Sequence, residues 1–153
     1  MSAVKNEYGW RVLFQACRFI VGMVCLASAL GKSMDFQGFV EVLSTYRFFP
    51  DWGLWLVAIG ITSLEWVLAL WLLSGWRIES GALIALILYG LYAAGLVITL
   101  LRGLDLPNCG CYGVFFPQPL RWYSPLEDLV LVGMCYALWL SVRKSGRPID
   151  TSF

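Results

Sequence analysis

Read for its alternation of apolar and polar positions, the chain resolves into four long apolar runs separated by short polar stretches. Residues Val12 to Gly31 are apolar apart from Gln15, Arg18 and Ser28. Gly53 to Ser74 carry a single charge, Glu65, near their centre, and Ser80 to Leu101 carry none. A fourth run follows from Ser124 to Val142. Runs of about 20 residues are long enough to cross a hydrocarbon core of about 30 Å as helices. The pattern therefore predicts an all-α membrane protein: a bundle of four antiparallel transmembrane helices forming one domain over residues 1–153.

The connections are predicted with equal economy. Phe36, Phe39, Val40 and Leu43 recur at helical spacing with Gln37, Glu41 and Ser44 between them. This is the signature of a short amphipathic helix over Phe36 to Tyr46, lying along the membrane surface. Pro50 ends it, and Phe48, Phe49 and Trp52 suit the aromatic interfacial belt. Gly75 to Glu79 leave room for a tight turn only. In the third run Gly81 with Ala85, and Gly90 with Ala94, repeat at the four-residue spacing that lets a neighbouring helix approach. The long loop from Arg102 to Tyr123 is stiffened by Pro117 and Pro119, and Ser124-Pro125-Leu126-Glu127 reads as a helix start.

A cleavable leader is the competing reading of the first run, because Ala27-Ser28-Ala29 fits a small-x-small site. Arg18, inside the apolar region, favours a retained span. Arg18 and Glu65 lie at similar depths if the first two spans start level, and an unpaired charge there costs at least about 2.5–3.5 kcal/mol. A buried Arg18–Glu65 ion pair is the expectation.

Composition sharpens the class. The chain is 59% hydrophobic and 14% charged, with mean hydropathy +0.72, whereas a soluble domain is nearer half apolar and a quarter charged. A net charge of +1 without a basic stripe gives no footprint for nucleic acid. The absence of histidine excludes His-ligated haem, zinc or copper and a His general base. Charge placement sets orientation instead. With the N-terminus inside, Lys5, Arg11, Arg77, Arg143, Lys144 and Arg147 fall on the cytoplasmic side, against Lys32, Arg47, Arg102 and Arg121 outside. Both termini are then cytoplasmic and the Arg102–Tyr123 loop is extracytoplasmic.

That loop holds the candidate chemistry, Asn108-Cys109-Gly110-Cys111-Tyr112-Gly113. Two thiols one residue apart can bond only if the chain bends sharply, which Gly110 permits. An extracytoplasmic position favours oxidation. Cys17, Cys25 and Cys135 lie in apolar runs and read as small hydrophobes; the five cysteines sit at different depths, so no metal site is expected. Arg102, Arg121 and the helix start at Ser124 favour thiolate, while Glu127 and Asp128 oppose it, so no extreme shift is expected. A ring closed over one residue is tight, and strained disulfides are the labile ones.

These residues resemble the DoxX/MauE superfamily of small four-helix bacterial membrane proteins. The CGCYG run at 109–113 is similar to the CGCFG-type signature of the MauE branch. Arg18, the Gly31-Lys32 end of the first span, the surface helix and Glu65 resemble the family layout, while Glu127-Asp128 stands where many members carry a basic residue. The resemblance implies a redox-associated protein of the bacterial inner membrane that assists maturation of periplasmic proteins, often beside a thioredoxin-like partner. Cys109 and Cys111 are then the catalytic pair, with a membrane quinone as the candidate electron acceptor. The alternative is a non-catalytic subunit of a larger membrane complex whose cysteine pair staples a loop. A single loop pair also leaves any shuttle between substrate and quinone to a separate protein.

Overall fold

The structure is a computed structural model that describes residues 2–114 and 117–145, with side chains described over 12–114 and 117–143. Lys5, Arg11, Lys144 and Arg147, which entered the orientation count, lie outside the described side chains. Five helices follow one another: α1 Ser2–Met34, α2 Phe36–Thr45, α3 Asp51–Ser74, α4 Ile78–Leu101 and α5 Ser124–Ser145. All but α2 are long and apolar enough to span a bilayer, over Val12–Met34, Asp51–Ser74, Ile78–Leu101 and Ser124–Arg143. The chain is a multi-pass membrane protein with the expected four-helix bundle.

Consecutive spans pair unevenly. α1 packs along α3 and α4 along α5, with α1 and α5 joining the two pairs. α3 and α4 are linked through a turn at Gly75, whose φ of 77° ends α3 in the left-handed region open to glycine, yet they touch far less extensively. The core between the pairs is built from Val21, Cys25, Leu68, Leu72, Ala82, Ala85 and Cys135. Small residues permit the close packing, as in other membrane bundles where apolar lipid gives helices no hydrophobic reason to associate. Gly81 and Ala85 are in that interface, Gly81 against Leu72. Gly90 and Ala94 are not: Ala94 is exposed and a Cβ on Gly90 would meet open space.

The register of α1 against α3 corrects the assumption of level ends. Gly22 sits against Leu72 and Leu73, so the first ten or so residues of the α1 span run past the end of α3. At the other end α1 stops at Met34, and the side chain of Asp35 caps α2 by accepting from Gly38 N at 2.9 Å. The Asp51 half of α3 is covered by α2 instead, with Phe39 and Val40 packed on Leu54 and Ala58. The apolar face of the amphipathic helix is thus turned onto protein.

The long loop after α4 does not stay at the bundle's rim. It descends beside α1, where a Cβ on Gly31 would collide with the Tyr112 carbonyl oxygen and one on Gly113 with the backbone of Gly31. Two glycines therefore create a backbone-to-backbone crossing that no other residue pair fits. Gly113 also has φ 76°, so it is required twice over. Irregular backbone at membrane depth is tolerated where protein covers it, and here α1, α2 and α5 surround the loop.

Gly31→Ala should lower the thermal midpoint of the detergent-purified protein, by about 1–3 kcal/mol of overpacking. Gly60→Ala, where a Cβ meets open space on α3, should leave it unchanged or raise it. Equal midpoints for the two variants would contradict the crossing.

Candidate functional site

The cysteine loop is shaped by its own backbone. Leu120 N donates to Leu106 O at 2.9 Å and Cys109 N to Gln118 O at 2.7 Å, pairing the two legs. Between them Asn108 organises the tip: Gly110 N donates to its Oδ1 at 2.9 Å, and its Nδ2 donates to Gly113 O at 3.2 Å. This is the local side-chain-to-backbone bonding that suits Asn to turns. Gly110 has φ 71°, and a Cβ there would strike Val42 of α2. The bend that the sequence required at Gly110 is present.

The bend brings the thiols together. Cys109 Sγ and Cys111 Sγ lie 2.9 Å apart, and both cysteines are free. Cys109 is buried and Cys111 half-buried. Each carbonyl is clamped by a hydroxyl: Tyr46 OH donates to Cys109 O and Ser28 Oγ to Cys111 O, both at 2.6 Å. Arg102 Nη1 in turn donates to Tyr46 O at 2.9 Å, and its guanidinium lies over the Phe48 ring. That arginine supports the clamp rather than the sulfurs.

Beneath the loop lies an ionic cluster. Glu65 Oε1 accepts from Lys32 Nζ at 2.5 Å and from Tyr92 OH at 2.8 Å, and Lys32 Nζ also donates to Ser28 Oγ at 3.0 Å. Ser28 Oγ stands 3.0 Å from Glu65 Oε1, but its one proton serves the shorter contact to Cys111 O. Lys32 and Glu65 are 2% and 1% exposed, so this ion pair is fully desolvated. It ties α1, α3 and α4 to the loop.

The expected pairing of Arg18 with Glu65 is corrected by this cluster. Lys32 lies 14 residues beyond Arg18 on α1, about 21 Å along the helix, and the offset register puts Lys32 at the depth of Glu65. Arg18 is itself buried over the Phe19 ring, and among the described residues its Nε and Nη1 have no hydrogen-bond partner. Ser28, Lys32, Tyr46 and Tyr92 were not singled out from sequence as site residues. The available signal was the four-residue spacing of Ser28 and Lys32, which puts both on one face of α1.

The thiols are differentiated. The hydrogen bond from Cys111 stabilises the Cys109 thiolate and holds Cys109 down to about 7, against burial and the acidic Asp128 and Glu127, which raise it. The same bond, burial and the charge on Cys109 push Cys111 up strongly, with Lys32 opposing. Neither arginine is the cause, and the shift at Cys111 is larger than the flanking charges alone imply. The pair is built to lose one proton near neutrality and to keep the other.

Two voids flank it. A chamber of about 20 Å³, the size of one water, is lined by Ser28, Tyr92, Cys109, Cys111 and Asp128. Asp128 is buried, and among the described residues its Oδ2 has no partner. On the other side a cavity of about 440 Å³ reaches from Lys32 and the two cysteines to Phe48 and Phe49. Cys25 and Cys135 are in the helical core, with Cys25 Sγ 3.2 Å from Tyr89 OH.

Residues 10–141 match the family described as methylamine utilisation protein MauE. Over 123 residues the chain is 30% identical to the methylamine utilization protein MauE of Paracoccus denitrificans, covering 80% of this chain and 66% of that protein, just under two thirds of its length. No solved structure matches.

Removing either partner of the buried pair, by Lys32→Met or Glu65→Leu, should destabilise the protein by about 3–5 kcal/mol. The double variant should cost much less than the sum, while Arg18→Met should leave the thermal midpoint unchanged or raised; additive losses would dissolve the pairing. Alkylation of Cys109 by iodoacetamide should rise with pH through a midpoint of about 7. In Cys111→Ala, which removes the donor, that midpoint should move upward. An unmoved midpoint would assign the thiolate's stability elsewhere.

Proposed function

This chain belongs to the MauE family, and on that premise we propose that Cys109 and Cys111 are a redox pair exchanging thiols and disulfides with an extracytoplasmic partner protein. The service is maturation of proteins that need disulfides, in the setting of methylamine utilisation that the Paracoccus relative's name carries. The bundle sits in the cell membrane with its termini cytoplasmic and the cysteine end facing outward. The partner is a thioredoxin-like or other periplasmic protein.

The observation that carries this reading is the asymmetry of the pair. A disulfide is opened fastest when the departing sulfur is the more acidic one. In the oxidised pair, a partner thiolate attacks Cys111, and Cys109, the more acidic thiol, leaves as a thiolate. The partner's second thiol then attacks the mixed disulfide, so the partner gains one disulfide and the pair returns as dithiol. Both carbonyls are clamped, so the sulfurs meet the partner in fixed positions.

Cys109→Ser should accumulate a partner-linked species through Cys111, separable by non-reducing electrophoresis, while Cys111→Ser should trap far less. If the double Cys109→Ser/Cys111→Ser variant supports full maturation of the client proteins, the pair is a loop staple and the chain is an assembly subunit of a larger membrane complex.

A further inference from the structure

We infer that the cavity walled by α2, α3, α4 and the cysteine loop is the binding site for the head group of an isoprenoid quinone, the acceptor of the electrons from Cys109 and Cys111. The inference rests on the exchange reading of that pair and adds where its electrons go.

The cavity's volume of about 440 Å³ falls within the range of about 300–1,000 Å³ typical of small-molecule sites. Its walls are aliphatic and aromatic side chains with two glycines, apart from the two cysteines and Lys32. Val57 and Ile61 of α3 and Leu88 and Leu91 of α4 line it, so it lies where these two spans part. Leu91 is 65% exposed on the outer surface of α4, which places the mouth against lipid. An apolar molecule dissolved in the bilayer can enter there, and a water-soluble oxidant cannot do so readily.

The polar exceptions choose among apolar occupants. An acyl chain uses neither a thiol nor an ammonium. A quinone ring uses both, because its carbonyl oxygens accept hydrogen bonds and gather negative charge on reduction. Lys32 has three N–H donors, of which Ser28 and Glu65 engage two. Its Nζ stands 5.2 Å from the ring centres of Phe39 and Tyr92, both of them cavity walls. The reaction balances without a further reagent. Two S–H bonds break and one S–S bond forms, while the two electrons and two protons released convert both C=O groups of the quinone to C–OH. Buried Asp128, beside Cys111 in the water-sized chamber, is placed to relay a proton.

Gly95 of α4 gives the test. It lines the cavity, and a Cβ there would meet nothing within 4 Å, so Gly95→Phe is the variant that fills the site. Full-length protein in lipid nanodiscs, pre-reduced and kept anaerobic, is mixed with decylubiquinone. Loss of maleimide-reactive thiols at 109 and 111 is followed together with quinol formation. The wild type should form one quinol per pair oxidised, and Gly95→Phe should slow this about tenfold. Gly133→Phe, at an open position on α5 away from the cavity, should not slow it. All three should react equally with a soluble aromatic disulfide. If Gly95→Phe does not fold, Ile61→Trp fills the cavity from the α3 wall. A wild-type pair that reacts with the aromatic disulfide but leaves quinone unreduced overturns this inference alone. A pair that reacts with neither overturns the exchange reading as well, and unchanged rates in the filled variants remove the quinone from this cavity.

Discussion

The buried contact between Lys32 and Glu65 is the constraint on which the rest of the architecture depends. A carboxylate and an ammonium taken out of water are each costly, and their attraction offsets that cost only when geometry and additional hydrogen bonds are good. Here the carboxylate oxygen also receives Tyr92, and the ammonium also reaches Ser28. Because Ser28 in turn holds the Cys111 carbonyl, the position of the thiols is set by the ionic cluster beneath them. α2 follows from the same register: once α1 ends level with the middle of α3, something must cover the Asp51 half of α3, and the Phe39–Val40 face does so.

The loop reaches this cluster through the crossing at Gly31 and Gly113. Its tip is consequently a plug in the bundle, bounded by a water-sized chamber on one side and an apolar cavity on the other. The two environments divide the chemistry of one dithiol. Proton-bearing groups gather on the α5 side, and apolar walls on the side between α3 and α4.

Most of the fold was legible in the sequence, because span length and hydropathy are properties of each run taken alone. The four spans, the turn at Gly75 and the helix after Met34 follow from those. What escaped is relational. The depth match of Arg18 with Glu65 assumed that spans one and two begin level, and nothing in either run announces that α1 is displaced along α3. The displacement is set by where Gly22 meets Leu72 and Leu73, a contact made only in the folded bundle. Likewise the CGCYG run announced a tight bend and a thiol pair, but its burial depends on a glycine in a different helix. Lys32, counted as a loop charge, became the centre of the site for the same reason.

The order of the charged residues along the chain has a consequence for biogenesis. Lys32 stands two residues from the end of α1, so when α1 alone is in the bilayer its ammonium can reach the interface on its long stem. Glu65 lies 14 residues into α3, about 21 Å from that helix's Asp51 end, where a short acidic side chain has no such escape. Synthesis from the N-terminus therefore delivers the cation before the acid, and a mobile partner is already waiting when the immobile one enters the lipid. The nascent chain carries its own counter-ion ahead of the residue that needs it.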